Sequence, residues 1–165
     1  METRPLLYIL DEPPTAESVA EPLHHDTSFE IVVMHSAGEL LAACRERKPA
    51  VILAEVAVVY GGAAMELEAI TDPQIVWATV RALHKLKQEG CLEDVYVILL
   101  HTGSFLGPRE ISELRETGII QGAWAKPYDT LLYTAALCQL FDMPNPYPRM
   151  IEWTPDKTVP WDQED

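Results

Sequence analysis

Five short apolar runs punctuate the chain: Leu6 to Leu10, Phe29 to Met34, Ala50 to Val56, Val95 to Leu100, and Ile119 to Ala125, the last interrupted by Gln121 and Gly122. They alternate little between apolar and polar positions, which is the pattern of strands buried on both faces. Amphipathic stretches separate them. Ser36 to Glu39 has capping-box spacing ahead of Leu40, Leu41 and Cys44. Asp72-Pro73 reads as an N-cap with proline at the first helical position. Ile75, Val76, Val80, Leu83 and Leu86 then recur with helical period, and Gly90 is a stop. Pro108 opens a short helix that Gly118 closes. Leu131, Leu132, Ala135, Ala136 and Leu140 form a last helix with Asp129 as its cap. The first helix is expected over about Thr15 to His25, kinked or shortened by Pro22.

The resulting order, strand and helix in strict alternation five times over, predicts an α/β domain with a parallel sheet, helices on both faces and right-handed crossovers. Two stretches exceed that unit. The connection from Ala57 to Thr71 is long and carries Tyr60-Gly61-Gly62 and an acidic Met65 to Glu68 segment. The stretch from Asp142 to Asp165 holds prolines at 144, 146, 148, 155 and 160 together with Trp153 and Trp161. Proline spacing forbids a regular helix there. The expected division is a domain over 1–141 and a Pro/Trp-rich acidic tail over 142–165. The tail either packs on its own domain or serves as a partner-binding arm.

The 165 residues suit one domain, and 12 basic against 26 acidic side chains leave a net charge of −14. That balance argues against nucleic acid and against an anionic membrane surface. No run approaches the ~18 apolar residues of a membrane span. Met1 to Pro5 lacks a signal pattern. Cys44, Cys91 and Cys138 are far apart and form no C-x-x-C pair, so neither a zinc site nor a disulfide frame is expected. The expected setting is a reducing cytoplasm.

Ligands of parallel sheets gather at the carboxyl ends of the strands. The first strand ends at Asp11-Glu12, the third at Glu55, the fourth at His101-Thr102-Gly103 and the fifth at Lys126-Pro127. Three carboxylates, a hydroxyl and an ammonium are therefore expected on one rim. Crowded carboxylates call for a cation, and Lys126 is the internal candidate. Asp11 and Glu12 have a plainer alternative role, capping the following helix. A flavin-phosphate loop is excluded by the anionic, donor-poor Asp11-Glu12-Pro13-Pro14 segment, and neither a Rossmann fingerprint nor a P-loop is present. No nucleophile, base and orienter form a set, so no catalytic residue is named.

From about Pro5 to Phe141 the chain resembles a response-regulator receiver domain of two-component signalling. The resemblance rests on Ile9-Leu10-Asp11-Glu12 at the acidic pair, Lys48 to Glu55 at the acceptor strand, Thr102 at the switch hydroxyl, and Gly122 through Asp129 at the closing Lys-Pro-aromatic-Asp motif. It implies a flavodoxin-like three-layer sandwich with strand order 2-1-3-4-5. It also implies a protein partner (a signalling kinase, regulator or output protein) and a homodimer through the last two helices and strand five.

The departures from the family fall on its chemistry. The acceptor position, an aspartate in the family, is Glu55, and the second acidic-pair residue, a magnesium-binding aspartate in the family, is Glu12. Each exchange moves a carboxylate by ~1.5 Å. Magnesium demands near-octahedral geometry at about 2.0–2.1 Å, and in-line phosphoryl transfer depends on positioning. Where the family often places a switch aromatic, three residues before the lysine, stands Ala123, with Trp124 beside it. Three readings of Glu55 stay open at this stage. It is a fixed partial mimic of the phosphorylated state, engaging Lys126 and Thr102. Or it belongs to a structural ion-pair cluster in a docking module. Or it still takes phosphate, or weakly holds a metal with Asp11 and Glu12. The expectation is an atypical, phosphorylation-independent receiver with no cofactor, any magnesium being weakly held. A small metal-dependent carboxylate enzyme is the alternative. No output domain is expected after Phe141.

Overall fold

The computed structural model of the chain describes residues 4–56, 78–102, 108–126 and 130–144. The elements are β1 (Leu6–Leu10), α1 (Pro13–Asp26), β2 (Glu30–Met34), α2 (Ala37–Glu46), β3 (Val51–Glu55), α3 (Ala78–Gln88), β4 (Tyr96–Thr102), α4 (Pro108–Glu116), β5 (Gly122–Lys126) and α5 (Thr130–Leu140). All strand pairings are parallel, and the sheet order is β2-β1-β3-β4-β5. This is the expected doubly wound sandwich. The long connection after β3, the expected helix start at Asp72-Pro73, the Asp129 cap, and Trp153 and Trp161 lie outside the described residues.

Alternation along the strands splits the core into two layers. Leu6, Tyr8, Leu10, Ile52, Ala54, Val97, Leu99 and Ala123 pack with Leu40 and Leu41 of α2 and Leu83 and Leu86 of α3, and Ile111 and Leu114 of α4 lie against them. Leu7, Ile9, Val51, Leu53, Ile98, Leu100 and Trp124 pack with Ala16, Val19 and Leu23 of α1 and Tyr133, Ala136 and Leu137 of α5. Burial on both faces is why β1 and β3 read as unbroken apolar runs. The edge strand β2 is only half-buried until Met34. Tyr8 carries the polar atom of the first layer, and its hydroxyl donates to the carbonyls of Ala43 (3.1 Å) and Arg47 (2.8 Å) at the end of α2.

Among the described residues the helix stops at Gly90 and Gly118 and the Ser36 cap follow their sequence signals, and two elements call for correction. Ser36 caps α2 by accepting from the Glu39 amide at 3.1 Å, while the Glu39 carboxylate takes the His35 amide at 2.6 Å. Gly90 and Gly118, both at φ +79°, end α3 and α4. Paired bonds from Gly90 to Lys87 and Cys91 to Leu86, and from Gly118 to Arg115 and Ile119 to Leu114, make both ends Schellman turns. The first correction concerns α1, which starts at Pro13 and runs through Pro22 to Asp26. Prolines at the first helical positions lose no bond, because those amides have no intrahelical partner. Pro22 removes the donor to the Ser18 carbonyl, but Ser18 is exposed to water, while Ala16, Val19 and Leu23 hold the other face in the core. The second correction shifts β5 to Gly122–Lys126. Ile119 and Ile120 are buried but belong to the turn, and Gln121 enters the sheet by donating its amide to Val97 O (2.9 Å) and accepting the Val97 amide on Oε1 (2.6 Å).

Cys44 and Cys138 are buried, Cys91 is half-buried, and no disulfide joins them. Burial first, and the Cys91 thiol second, push the Cys44 thiol from 9.0 up to about 12. Burial likewise raises Tyr8 above 10.0, with Cys44 adding to the rise. The native state therefore keeps a proton at Cys44 that the unfolded chain releases. Its contribution to stability is full below about pH 9 and is lost as pH rises toward 12, with a slope of up to ~1.4 kcal/mol per pH unit. Urea unfolding at pH 8, 9, 10 and 11 is expected to show a falling midpoint, with a shallower fall in Cys44→Ala.

Candidate functional site

Asp11 follows β1 directly and Glu55 ends β3; they are 1% and 4% exposed. Leu10 pairs with Ala54 across these strands. One step further, Asp11 comes level with Glu55 on strands about 4.8 Å apart. Both share the strand phase of Ile9 and Leu53, on the α1/α5 side of the sheet. Two buried carboxylates thus occupy neighbouring positions on one rim.

The surroundings of each are specific. The Asp11 amide continues the β1–β2 ladder to Met34 O at 3.2 Å, and its Oδ1 accepts the Glu12 amide at 2.7 Å. Glu12 is the N-cap residue of α1, with extended backbone (φ −62°, ψ 144°), but its carboxylate makes no capping bond. The side chain that binds a backbone amide here is that of Asp11, one residue before the cap. His35, just past β2, brings Nδ1 to 3.0 Å from the Asp11 carbonyl. That oxygen accepts, so Nδ1 carries the proton. On the other side, Thr79 of α3 is fully buried and its hydroxyl donates to the Glu55 carbonyl at 2.7 Å. The next amide, of Val56, donates to Leu100 O at 2.9 Å. Glu55 is thereby fixed at its backbone from β4 and from α3. Sequence reading missed both His35 and Thr79. Each acts on a backbone carbonyl of another element, for which a single sequence carries no signal.

Thr102 ends β4, Lys126 ends β5, and the register pairs them directly. They follow Leu100 and Trp124 by two residues each, so all four sheet positions expected on the rim share one strand phase. The expected contact of Glu55 with Lys126 and Thr102 lies outside the described residues, because the side chains of those two do. His101 has the opposite phase and is 5% exposed. Ala123 is buried where the family often has its switch aromatic. Trp124 is fully buried and packs on Tyr133, with ring centroids 4.0 Å apart at 36°.

Among the described residues the carboxylates at this end of β1 and β3 are Asp11, Glu12 and Glu55. Among the described residues no three His, Cys, Asp or Glu side chains are gathered around one metal position. A groove of about 450 Å³ lined by Ala50, Tyr96, Gln121, Leu140 and Phe141 lies at the opposite end of the strands and takes no part in this rim. Among the described residues no helix is long and apolar enough to cross a membrane.

The Thr79 bond gives a direct test of how the rim is held. Thr79→Val leaves the Glu55 carbonyl buried without that donor, an expected loss of about 1–3 kcal/mol in urea unfolding. Thr79→Ser, which keeps the hydroxyl, is expected to recover most of it.

No protein-family model matches the chain, and no curated protein matches it. Solved structures do. The isolated receiver domain of RcsB from Salmonella enterica serovar Typhimurium, determined with the phosphomimetic BeF3−, superposes with a TM-score of 0.62 at 12% identity, covering 93% of this chain and 96% of that one. The chemotaxis response regulator CheY4 of Vibrio cholerae gives 0.58 at 17% identity, over 78% and 91% of the two chains. The receiver domain of the sensor histidine kinase PA1611 from Pseudomonas aeruginosa, with magnesium coordinated in its active-site cleft, gives 0.54 at 13% identity, over 78% and 89%. With its strand order, its five helices and its acidic β1–β3 rim, the described chain has the fold of the response-regulator receiver domains.

Proposed function

We propose that this protein is a receiver-like signalling module that works through protein contacts and is not switched by phosphorylation at Glu55. The observation that carries this reading is Glu55 itself, 4% exposed at the end of β3 and level with Asp11. A buried carboxylate beside a second one is costly without a positive partner. Ideal sheet spacing puts the Glu55 and Lys126 Cα atoms roughly 12 Å apart, a span that a glutamate and a lysine side chain bridge together. A lasting pair with Lys126 keeps the Glu55 carboxylate in place with its single negative charge, where a phosphoryl group would bring roughly −1.5 to −2 on demand. The extra methylene in both Glu12 and Glu55 moves carboxylates off the positions that in-line transfer requires.

The remainder of the site supports a fixed surface. Trp124 is locked in the core against Tyr133, and Ala123 offers no aromatic to swing. The partner is a protein (a signalling kinase, a regulator, an output protein, or a second copy meeting α4 and β5). α4 has no buried side chain and presents Arg109, Glu110, Ser112, Glu113 and Glu116 outward, a mixed-charge face suited to protein contact. The net charge of −14 disfavours nucleic acid. Three cysteines without a disulfide suit a reducing cytoplasm.

Intact-mass measurement after incubation with acetyl phosphate and magnesium tests the reading. The wild-type protein is expected to gain no phosphoryl group, whereas the Glu12→Asp/Glu55→Asp double variant is expected to gain one, labile at alkaline pH. A stoichiometric gain on the wild-type chain that Glu55→Gln abolishes would overturn it.

A further inference from the structure

β2 is an edge of the sheet, and among the described residues no strand pairs with its outer side. Two bonds fix which of its residues look outward. The Glu30 amide donates to Pro5 O at 2.9 Å, and Met34 O accepts the Asp11 amide at 3.2 Å. In a parallel ladder alternate residues turn both backbone groups toward the same neighbour, so Glu30, Val32 and Met34 face β1. Phe29, Ile31, Val33 and His35 have the opposite phase. The outer two are provided for. The Phe29 amide donates to the Thr27 hydroxyl at 3.3 Å, Phe29 O accepts from Arg4 at 2.8 Å, and the His35 amide donates to the Glu39 carboxylate at 2.6 Å. Between these stops Ile31 and Val33 turn two amides and two carbonyls outward, with no partner among the described residues.

The side chains leave this edge equally open. Glu30, Ile31, Val32 and Val33 are each half-buried. Ile31 and Val33 lie against the α1/α5 core layer, as does Ala20 of α1, and Val32 lies against the other layer, as does Ala43 of α2. The one charge on the strand is cancelled, because the Glu30 carboxylate holds the Arg47 guanidinium at 2.8 and 3.2 Å. Edge strands are ordinarily guarded by a lysine, a proline or a bulge. Ile31-Val32-Val33 has none of these, and its register with β1 is unbroken.

We propose that β2 pairs antiparallel with β2 of a second copy of the chain, across a two-fold axis at Val32. The outward hydrogen-bonding set is self-complementary about that residue. Ile31 of each copy meets Val33 of the other, and in an antiparallel ladder such a pair exchanges both of its amide–carbonyl bonds. All four outward groups of each copy are thereby used. Val32 meets its own counterpart in the intervening non-bonded pair, where Cα atoms come within ~4.5 Å. All three residues are β-branched, the type that suits a pleated surface. The next pair out, Phe29 with His35, is closed by Thr27, Arg4 and Glu39, so the ladder stops there. Two five-stranded sheets become one. So short a contact falls below the standard interface size, and a charge of −14 on each copy opposes it. The dimer is weak and reversible, and salt tightens it. β5 lies at the opposite edge of the sheet, so α4 and β5 stay open to another partner. The proposal does not depend on the chemistry of the Glu55 rim.

Two measurements test it. Sedimentation equilibrium of the full chain, over a concentration series up to about 1 mM, reads the association. Val32→Lys and Val32→Glu each set like charges against one another across the axis and are expected to weaken it at least about tenfold. An equimolar mixture of the two variants opposes unlike charges and is expected to associate at least about tenfold more tightly than either alone. A wild-type chain that stays monomeric throughout, association that both variants leave unchanged, or a mixture no tighter than its components would overturn the proposal. Hydrogen exchange of the unaltered chain needs no folded variant. The Ile31 and Val33 amides are expected to exchange about threefold or more slowly at the top of the concentration series than at its foot, while those of α4 keep their rates. Equal rates at both ends would overturn the proposal, and so would slowing confined to α4 and β5, which would place the second copy at the other edge.

Discussion

The parallel register between β1 and β3 is the constraint on which the site depends. Because Leu10 meets Ala54, the two residues that end these strands cannot avoid one another. Asp11 and Glu55 are carried to the same level, on the same face, almost wholly out of water. The apolar runs that fix the register are indifferent to this juxtaposition. Leu7, Ile9, Val51 and Leu53 are each fully buried, and a one-residue slip would turn all of them to the wrong face. Core packing therefore imposes the acidic rim, and the rim's chemistry has to be solved by what surrounds it.

Those surroundings favour permanence. Asp11 is tied through Oδ1 to the next amide and through its carbonyl to His35. Glu55 is held at its backbone by Thr79. The aromatic pair Trp124–Tyr133 belongs to the core, so a side-chain rotation there would open a cavity. Among the described helices α4 turns Arg109, Glu110, Glu113 and Glu116 outward, a surface open to partners.

The sequence disclosed most of the fold because the information is local. The run Leu6 to Leu10 matches β1, β3 (Val51–Glu55) lies one residue inside each end of the run Ala50 to Val56, and Gly90 and Gly118 end helices through their positive φ. Local rules misjudged α1, where the buried Ala16–Val19–Leu23 face outweighs Pro22, and β5, where two buried isoleucines belong to a turn. Of the candidate site, Asp11, Glu12, Glu55, Thr102 and Lys126 are placed at strand ends by the apolar runs and grouped on one rim by the rule for parallel sheets, and the resemblance supplies their roles. His35 and Thr79 were invisible, because their bonds run to backbone atoms of residues 24 positions away. Only the crossover geometry brings them there.

The most direct test of a permanent rim is a magnesium titration followed through the backbone amide resonances of Asp11, Glu12 and Glu55. A rim satisfied by its own lysine predicts no saturable shift at these three amides up to about 10 mM magnesium, and a saturable one once Glu12 and Glu55 are both shortened to aspartate. Saturation of the wild-type protein below about 1 mM, centred on the same three amides, would show a cation-dependent relay site and contradict the permanent pairing.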